Sequence, residues 1–251
     1  MSSLVARLRA AGCVFAEEEA ALLADAPESA VARRVAGEPL EQVLGWAEFA
    51  GLRVAVAPGV FVPRRRSEFL VGAVLSLLGG GETVVDVCCG TGAIGAALLA
   101  ARPGLVLHAA DVDPAAVACA ARNLPGAAGV HVGDLLAALP PSLAGHVDVV
   151  VASTPYVPSE AVAAMPPEAR EHEPRVALDG GGDGVDVVRR LAGQAAAWLR
   201  PGGHLLVECA EHQGDRARAA LVAAGFTASV ARDEEHDATV VAGTLGDASR
   251  P

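Results

Sequence analysis

Asp86-Val87-Cys88-Cys89-Gly90-Thr91-Gly92 is the stretch on which the reading of this chain turns. It follows a short apolar run, Thr83–Val87, and precedes an Ala- and Leu-rich run over residues 92–102. That order predicts a strand, a tight turn and a helix. Glycines at 90 and 92 let the backbone come close to a bound group. A helix starting near Gly92 offers free N–H groups to a polar ligand. Taken alone, a two-glycine turn also fits an ordinary strand-to-helix connection.

The same alternation continues downstream. Strands are expected at 105–110, 129–132, 147–152 and 203–209, with terminal strands at 227–230 and 239–242. Helices are expected at 114–123, 184–199 and 213–224. Alternating strands and helices predict an α/β domain with a mostly parallel seven-stranded sheet and helices on both faces. Right-handed crossovers would then gather the carboxyl ends of the strands on one edge, where ligands bind.

Upstream, apolar residues recur at helical spacing over 2–36, as in Leu4 and Leu8, then Leu22 and Leu23, then Val31 and Val35. Residues 46–62 change to near-alternation, with Gly51 and Pro58-Gly59 as punctuation, which predicts a β-hairpin. A helix is expected over 67–78. The chain thus divides into an N-terminal helical segment (1–38), a β-hairpin linker (39–66) and a Rossmann-like domain (67–251).

Composition narrows the function. Of 251 residues, 52% are hydrophobic and 3% aromatic, so the core must be built from Ala, Val and Leu. No apolar run approaches the roughly 18 residues of a membrane span. Leu4 and Leu8 at helical spacing, with Arg7 and Arg9 near them, read as an amphipathic helix and not a secretion signal, so a cytoplasmic protein is expected. The five cysteines form no CxxC pair and are expected to be reduced thiols, with no metal site. The net charge is −11, and residues 71–251 carry 11 arginines against 21 acids. An acidic body repels phosphate backbones and argues against a nucleic-acid substrate.

Asp111 ends the second strand, about 20 residues beyond the glycine turn. A carboxylate there can accept both ribose hydroxyl hydrogens of a nucleoside cofactor. NAD also fits this pair. Three features favour S-adenosylmethionine: the turn is not GxGxxG, Asp86 lies just before it, and Gly133-Asp134 follows the third strand. Asp86 suits hydrogen bonds around the loop or to the cofactor's amino group. Asp134, with Leu135 beside it, suits an adenine amine. The expected cofactor residues are Asp86, Cys88, Cys89, Gly90, Thr91, Gly92, Asp111, Asp134, Leu135 and Ser153.

Ser153-Thr154-Pro155-Tyr156 follows the fourth strand. It resembles the (N/D/S)-P-P-(Y/F) box of methyltransferases that act on amide or exocyclic amine nitrogens. Further matches include Gly37-Glu38-Pro39-Leu40, Val62-Pro63-Arg64, Ser67-Glu68, Glu173-Pro174-Arg175, Gly181-Gly182-Asp183-Gly184, Pro201-Gly202-Gly203, Glu208 and Gln213. In this order they resemble the HemK/PrmC-like protein-(glutamine-N5) methyltransferases across residues 33–243. The resemblance implies a class I methyltransferase fold and transfer of a methyl group from S-adenosylmethionine to a glutamine amide in a protein. It implies that Ser153, Thr154, Pro155 and Tyr156 receive the acceptor: Ser153 Oγ and the box carbonyls take the amide hydrogens, and Tyr156 packs beside it. No metal is implied. Ser153 stands where the family carries Asn, and Thr154 where it carries Pro. Ser is shorter and presents no amide to the acceptor's carbonyl. Thirty-six residues precede Gly37, whereas the family carries a larger helical domain that engages its protein substrate. These departures keep two other readings open: methylation of an amine or amide in another peptide or small molecule, and a cofactor-binding partner subunit without catalysis. Arg64-Arg65-Arg66 is expected either to grip an acidic partner or RNA, or to form a solvated turn with one arginine paired to Glu68.

Overall fold

Successive residues of Thr83–Val87 face different helical layers in the computed structural model, which describes residues 2–246. Val84 packs into one apolar layer, Val85 and Val87 into the other. The same alternation holds in the neighbouring strands, where Val150 and Ala152 join one layer and Val149 and Val151 the other. Both faces are covered, which is why the strands read as continuous apolar runs rather than as half-buried alternation. Residues 247–251, placed in the C-terminal domain by the sequence, lie outside the described residues, as does Met1.

In chain order the helices are α1 (Ser2–Ala10), α2 (Ala16–Leu22), α3 (Glu28–Val35) and α4 (Leu40–Leu44), followed by the hairpin β1 (Trp46–Phe49) and β2 (Leu52–Ala55). Then come α5 (Ser67–Leu75), β3 (Thr83–Val87), α6 (Ala93–Ala101), β4 (Val106–Asp111), α7 (Pro114–Asn123), β5 (Gly129–Val132) and β6 (Val147–Ser153). The chain finishes with α8 (Pro167–His172), α9 (Arg175–Leu178), α10 (Asp186–Trp198), β7 (Leu199–Cys209), α11 (Gly214–Ala223), β8 (Phe226–Asp233) and β9 (Ala238–Leu245). The seven-stranded sheet has the order β5-β4-β3-β6-β7-β9-β8. Its first five strands are parallel; β9 runs antiparallel to both β7 and β8. Chain direction across the sheet reverses at β3, between β4 and β6, and a crevice opens beyond such a switch point.

The hairpin is shorter than its alternation suggests. The strands end at Ala55, and Val56, Val60 and Val62 are buried without strand pairing. Ala50 and Gly51 at the turn both have positive φ, 50° and 73°, the geometry of a tight two-residue hairpin loop. The N-terminal segment keeps a small core of its own around Leu8, Ala20, Leu23 and Val31. Inside it Arg34 donates to Glu19 at 2.6 and 3.0 Å, both side chains being almost wholly buried. Gln42 on α4 ties this segment to the rest: its amide donates to the carbonyls of Val60 (3.0 Å) and His172 (3.2 Å). No helix among the described residues is long and apolar enough to cross a membrane.

Candidate active site

The turns after β3, β4 and β6 leave the sheet on one edge and enclose a single cleft. One end is lined by Cys88, Gly90, Asp111, Val112 and Asp113. The other is lined by Arg66 and Ser153–Val157, with Met165, Pro174 and Val176 completing its wall. Cys88, Gly90 and Ser153 also border a smaller side chamber beneath the linker, where Cys89 and Thr91 contribute.

The cofactor end is built mainly from backbone. Asp111 Oδ2 accepts from the Gly90 N–H (2.9 Å) and Oδ1 from the Asp113 N–H (2.9 Å). Burial raises the Asp111 pKa, and these two N–H groups oppose the rise. Each oxygen keeps a lone pair for a further donor. Gly90 tests whether a nucleoside fits beside it. A Cβ at this position, φ +54°, would meet no atom of the described residues within 4 Å, so the space it would fill belongs to the cleft. A carboxylate at a strand end beside such a gap fits a ribose. Gly92 serves packing instead: a Cβ there would lie 2.9 Å from Leu124 and 3.1 Å from Ala120 on α7. Cys88 takes φ +56°, a conformation costly for a residue with a side chain. Burial pushes its thiol far above the ordinary cysteine range, so it carries no thiolate near neutrality.

Asp86, Asp134 and Leu135 line neither chamber. Asp86 is fully buried beneath the turn, where Oδ2 accepts from the Gly95 N–H in the first turn of α6 (3.0 Å). Its Oδ1 has no hydrogen-bond partner among the described residues. Burial pushes its pKa up to about 7, against the Gly95 N–H and with a contribution from Asp111. The Asp86 carboxyl is therefore a support of the loop in this structure, not a wall of the cleft. Asp134, expected to face an adenine, pairs with Arg190 of α10 and is half exposed. Leu135 is buried in the sheet's apolar layer.

The acceptor end is built from side chains that meet across the fold. Glu208, at the end of β7, is 2% exposed. Its Oε2 accepts from Ser67 Oγ (2.6 Å) and Ser153 Oγ (3.4 Å), and its Oε1 from Arg66 Nε (3.2 Å). Arg66 also donates to the Tyr156 hydroxyl and lies over its ring, 5.3 Å from the centroid. Thr154 is buried and donates to the Glu208 carbonyl (3.4 Å). Gln213 donates to the Tyr156 carbonyl (2.7 Å). The Pro155 carbonyl lies against Gly180, where a Cβ would meet it at 2.6 Å. Among the described residues the Thr154 carbonyl accepts no hydrogen bond, so it can serve a ligand.

The three arginines of the linker do not form a free basic patch. Arg64 pairs with buried Glu173 (2.7 Å to each oxygen), and Arg66 pairs with Glu208. Glu68, the partner expected from sequence, instead accepts from the Ala50 N–H (3.0 Å). Arg66 was absent from the sequence-derived site. The charged Glu208 closing the apolar run Leu205-Leu206-Val207 was the available signal, because it falls on the sheet's ligand-binding edge.

Residues 51–168 match the methyltransferase small domain family. The release factor glutamine methyltransferase of Streptomyces coelicolor is 42% identical over 189 residues, which cover 73% of this chain and 67% of that protein. The protein of the same name from Cereibacter sphaeroides is 41% identical over 209 residues, covering 81% and 72%. A solved methyltransferase structure from Pyrococcus furiosus shares the fold at 16% identity, with a TM-score of 0.58 over 78% of this chain and 90% of that one.

Proposed function

This chain belongs to the release factor glutamine methyltransferase family, and on that premise we propose that its cleft presents a glutamine side-chain amide of a release factor for N-methylation. The chain is an S-adenosylmethionine-dependent methyltransferase with a class I Rossmann-like fold. The observation that carries the substrate reading is a juxtaposition. Asp111 and the Ser153–Tyr156 box open onto one cleft, with Cys88 and Gly90 on its wall.

Asp111 would receive the ribose hydroxyls, with its carboxylate already fixed by Gly90 and Asp113. Bound there, S-adenosylmethionine supplies a methyl group made electrophilic by its positively charged sulfur. The difficulty lies with the acceptor, because an amide nitrogen delocalises its lone pair into the carbonyl. Ser153 Oγ and the Thr154 carbonyl are two acceptors for the two amide hydrogens. Holding both hydrogens fixes the nitrogen and favours a pyramidal geometry in which its lone pair is available. Positioning of this kind is worth up to roughly 7–11 kcal/mol of barrier. Tyr156, held by Arg66, forms a wall beside the acceptor.

Titration calorimetry with S-adenosylmethionine, followed by labelled-methyl transfer to a release factor and mass-spectrometric mapping, tests the reading. Binding and a methyl group on a glutamine side-chain nitrogen are expected. Methylation confined to another class of nitrogen would overturn the acceptor assignment while leaving the cofactor site intact.

A further inference from the structure

A primary carboxamide has two N–H donors and one carbonyl acceptor to satisfy. The side chains of the first three residues of the box provide for its donors only. The Ser153 hydroxyl directs its single hydrogen to Glu208 (3.4 Å), and the Thr154 hydroxyl directs its own to the Glu208 carbonyl (3.4 Å). Pro155 has no N–H. A carboxamide bound at Ser153 and Thr154 would therefore leave its carbonyl oxygen without a partner from these side chains.

Arg66 borders the same cleft as Ser153 and Thr154. Its side chain lines the cleft and is 34% exposed. A guanidinium carries five N–H donors. Nε is committed to Glu208 and one Nη2 hydrogen to the Tyr156 hydroxyl, which leaves three uncommitted among the described residues. The two commitments fix the guanidinium plane between a buried carboxylate and an aromatic ring. Resting on the glutamine reading above, we propose that Arg66 donates to the carbonyl oxygen of the acceptor amide, supplying the hydrogen bond that Ser153 cannot, and that Glu208 is the positioning residue for both Arg66 and Ser153. Ser153 then acts on the nitrogen side and Arg66 on the oxygen side of one carboxamide.

The chemistry gives this role a signature. A cation at an amide oxygen favours the planar, dipolar form of the amide. It therefore strengthens binding and orientation without helping the nitrogen lone pair. Removing Arg66 should raise KM for the acceptor and leave kcat nearly unchanged. A role limited to neutralising buried Glu208 would show no such split.

The experiment is a mutant cycle with a glutamine-bearing peptide as acceptor: Arg66→Ala, Ser153→Asn and the pair together. S-adenosylhomocysteine affinity serves as the check on folding. Arg66→Ala is expected to raise peptide KM roughly 10- to 100-fold, the range for a hydrogen bond to a charged group. In the Ser153→Asn background, where an amide again faces the carbonyl, the penalty should shrink to about threefold or less. Arg66→Lys, which keeps a cation opposite Glu208, should fold normally and still raise KM, because an ammonium lacks the planar fork. An equal penalty in both backgrounds, or a fall in kcat with KM unchanged, would overturn the proposal. No methyl transfer to glutamine by the unaltered protein would instead overturn the reading on which it rests, and the inference with it.

Discussion

The two ends of the cleft are held by different means. At the cofactor end the chief polar link joins Gly90 to Asp111, 21 residues apart, and the donors are backbone N–H groups. At the acceptor end Arg66 reaches Glu208 across 142 residues, and Ser67, Ser153, Thr154 and Gln213 converge through side chains. Backbone donors persist when side chains change. Side-chain donors change with each substitution and draw their partners along. The acceptor end can therefore drift from its family, as at Ser153 and Thr154, while the cofactor end keeps its geometry.

Two glycines put that contrast to its hardest test. At Gly184, φ +79°, a Cβ would collide with the Tyr156 carbonyl oxygen and with the Gln213 amide. Gly184→Ala should destabilise the protein by roughly 4–5 kcal/mol, combining backbone strain with overpacking, or prevent folding. Gly90→Ala meets no atom of the described residues and should cost only about 1–2 kcal/mol from its positive φ, while weakening S-adenosylmethionine binding. Denaturant midpoints of the two variants would show whether the contrast holds. Equal losses of stability would refute it.

The support beneath the cofactor turn should appear as a pH effect. Folding raises the Asp86 pKa from near 4 to about 7, so the folded state retains a proton that the unfolded chain releases between these values. Stability from this group is full below about pH 4 and is lost as pH rises through about 7. That rise corresponds to a loss on the order of 4 kcal/mol. Asp86→Asn cannot titrate. Its stability should therefore gain on that of the unaltered protein as pH rises from 4.5 to 7.5. Parallel urea-denaturation profiles across that window would exclude Asp86 as the titrating group.

On the cleft wall itself, Asp111→Asn exchanges one accepting oxygen for an N–H₂ group and opposes the hydroxyl hydrogens it would receive. S-adenosylmethionine affinity should fall by about 100-fold, near 3 kcal/mol, as expected for charged hydrogen bonds left unmade. The KM for the acceptor should stay within about threefold, since the two ends share no polar side-chain partner. A comparable rise in acceptor KM would show that the ends are coupled and would break the comparison.

The same division governs what could be read from sequence. The parallel sheet was legible because strands buried on both faces are written as apolar runs. Asp111 was legible because its partner lies one strand–helix unit away. Arg66 was not, because its neighbour Glu68 competed for it on paper, whereas Glu208 comes beside it only when β7 lies next to β6. The hairpin was read too long because Val56, Val60 and Val62 alternate through burial alone. Helices α8 and α9, of 6 and 4 residues, are too short to show a period, so this wall of the cleft is marked in the sequence only by the Glu173-Pro174-Arg175 match.

The smallest effect concerns Cys88, where a side chain intrudes into the backbone-built end. Its φ of +56° costs about 1–2 kcal/mol relative to an unstrained residue. Cys88→Gly removes that strain but gives the unfolded chain more freedom, worth about 0.5–1 kcal/mol in the opposite direction. Because the thiol's packing against the apolar layer is also given up, the change in stability should stay within about 1 kcal/mol, read from the denaturant midpoint at an unchanged slope. The thiol also lines both the cleft and the side chamber. Its removal should therefore leave cofactor affinity equal or improved if the thiol only narrows the cleft. A loss of affinity would mean that the Sγ itself packs against the bound cofactor, and that the cofactor end too depends on a side chain.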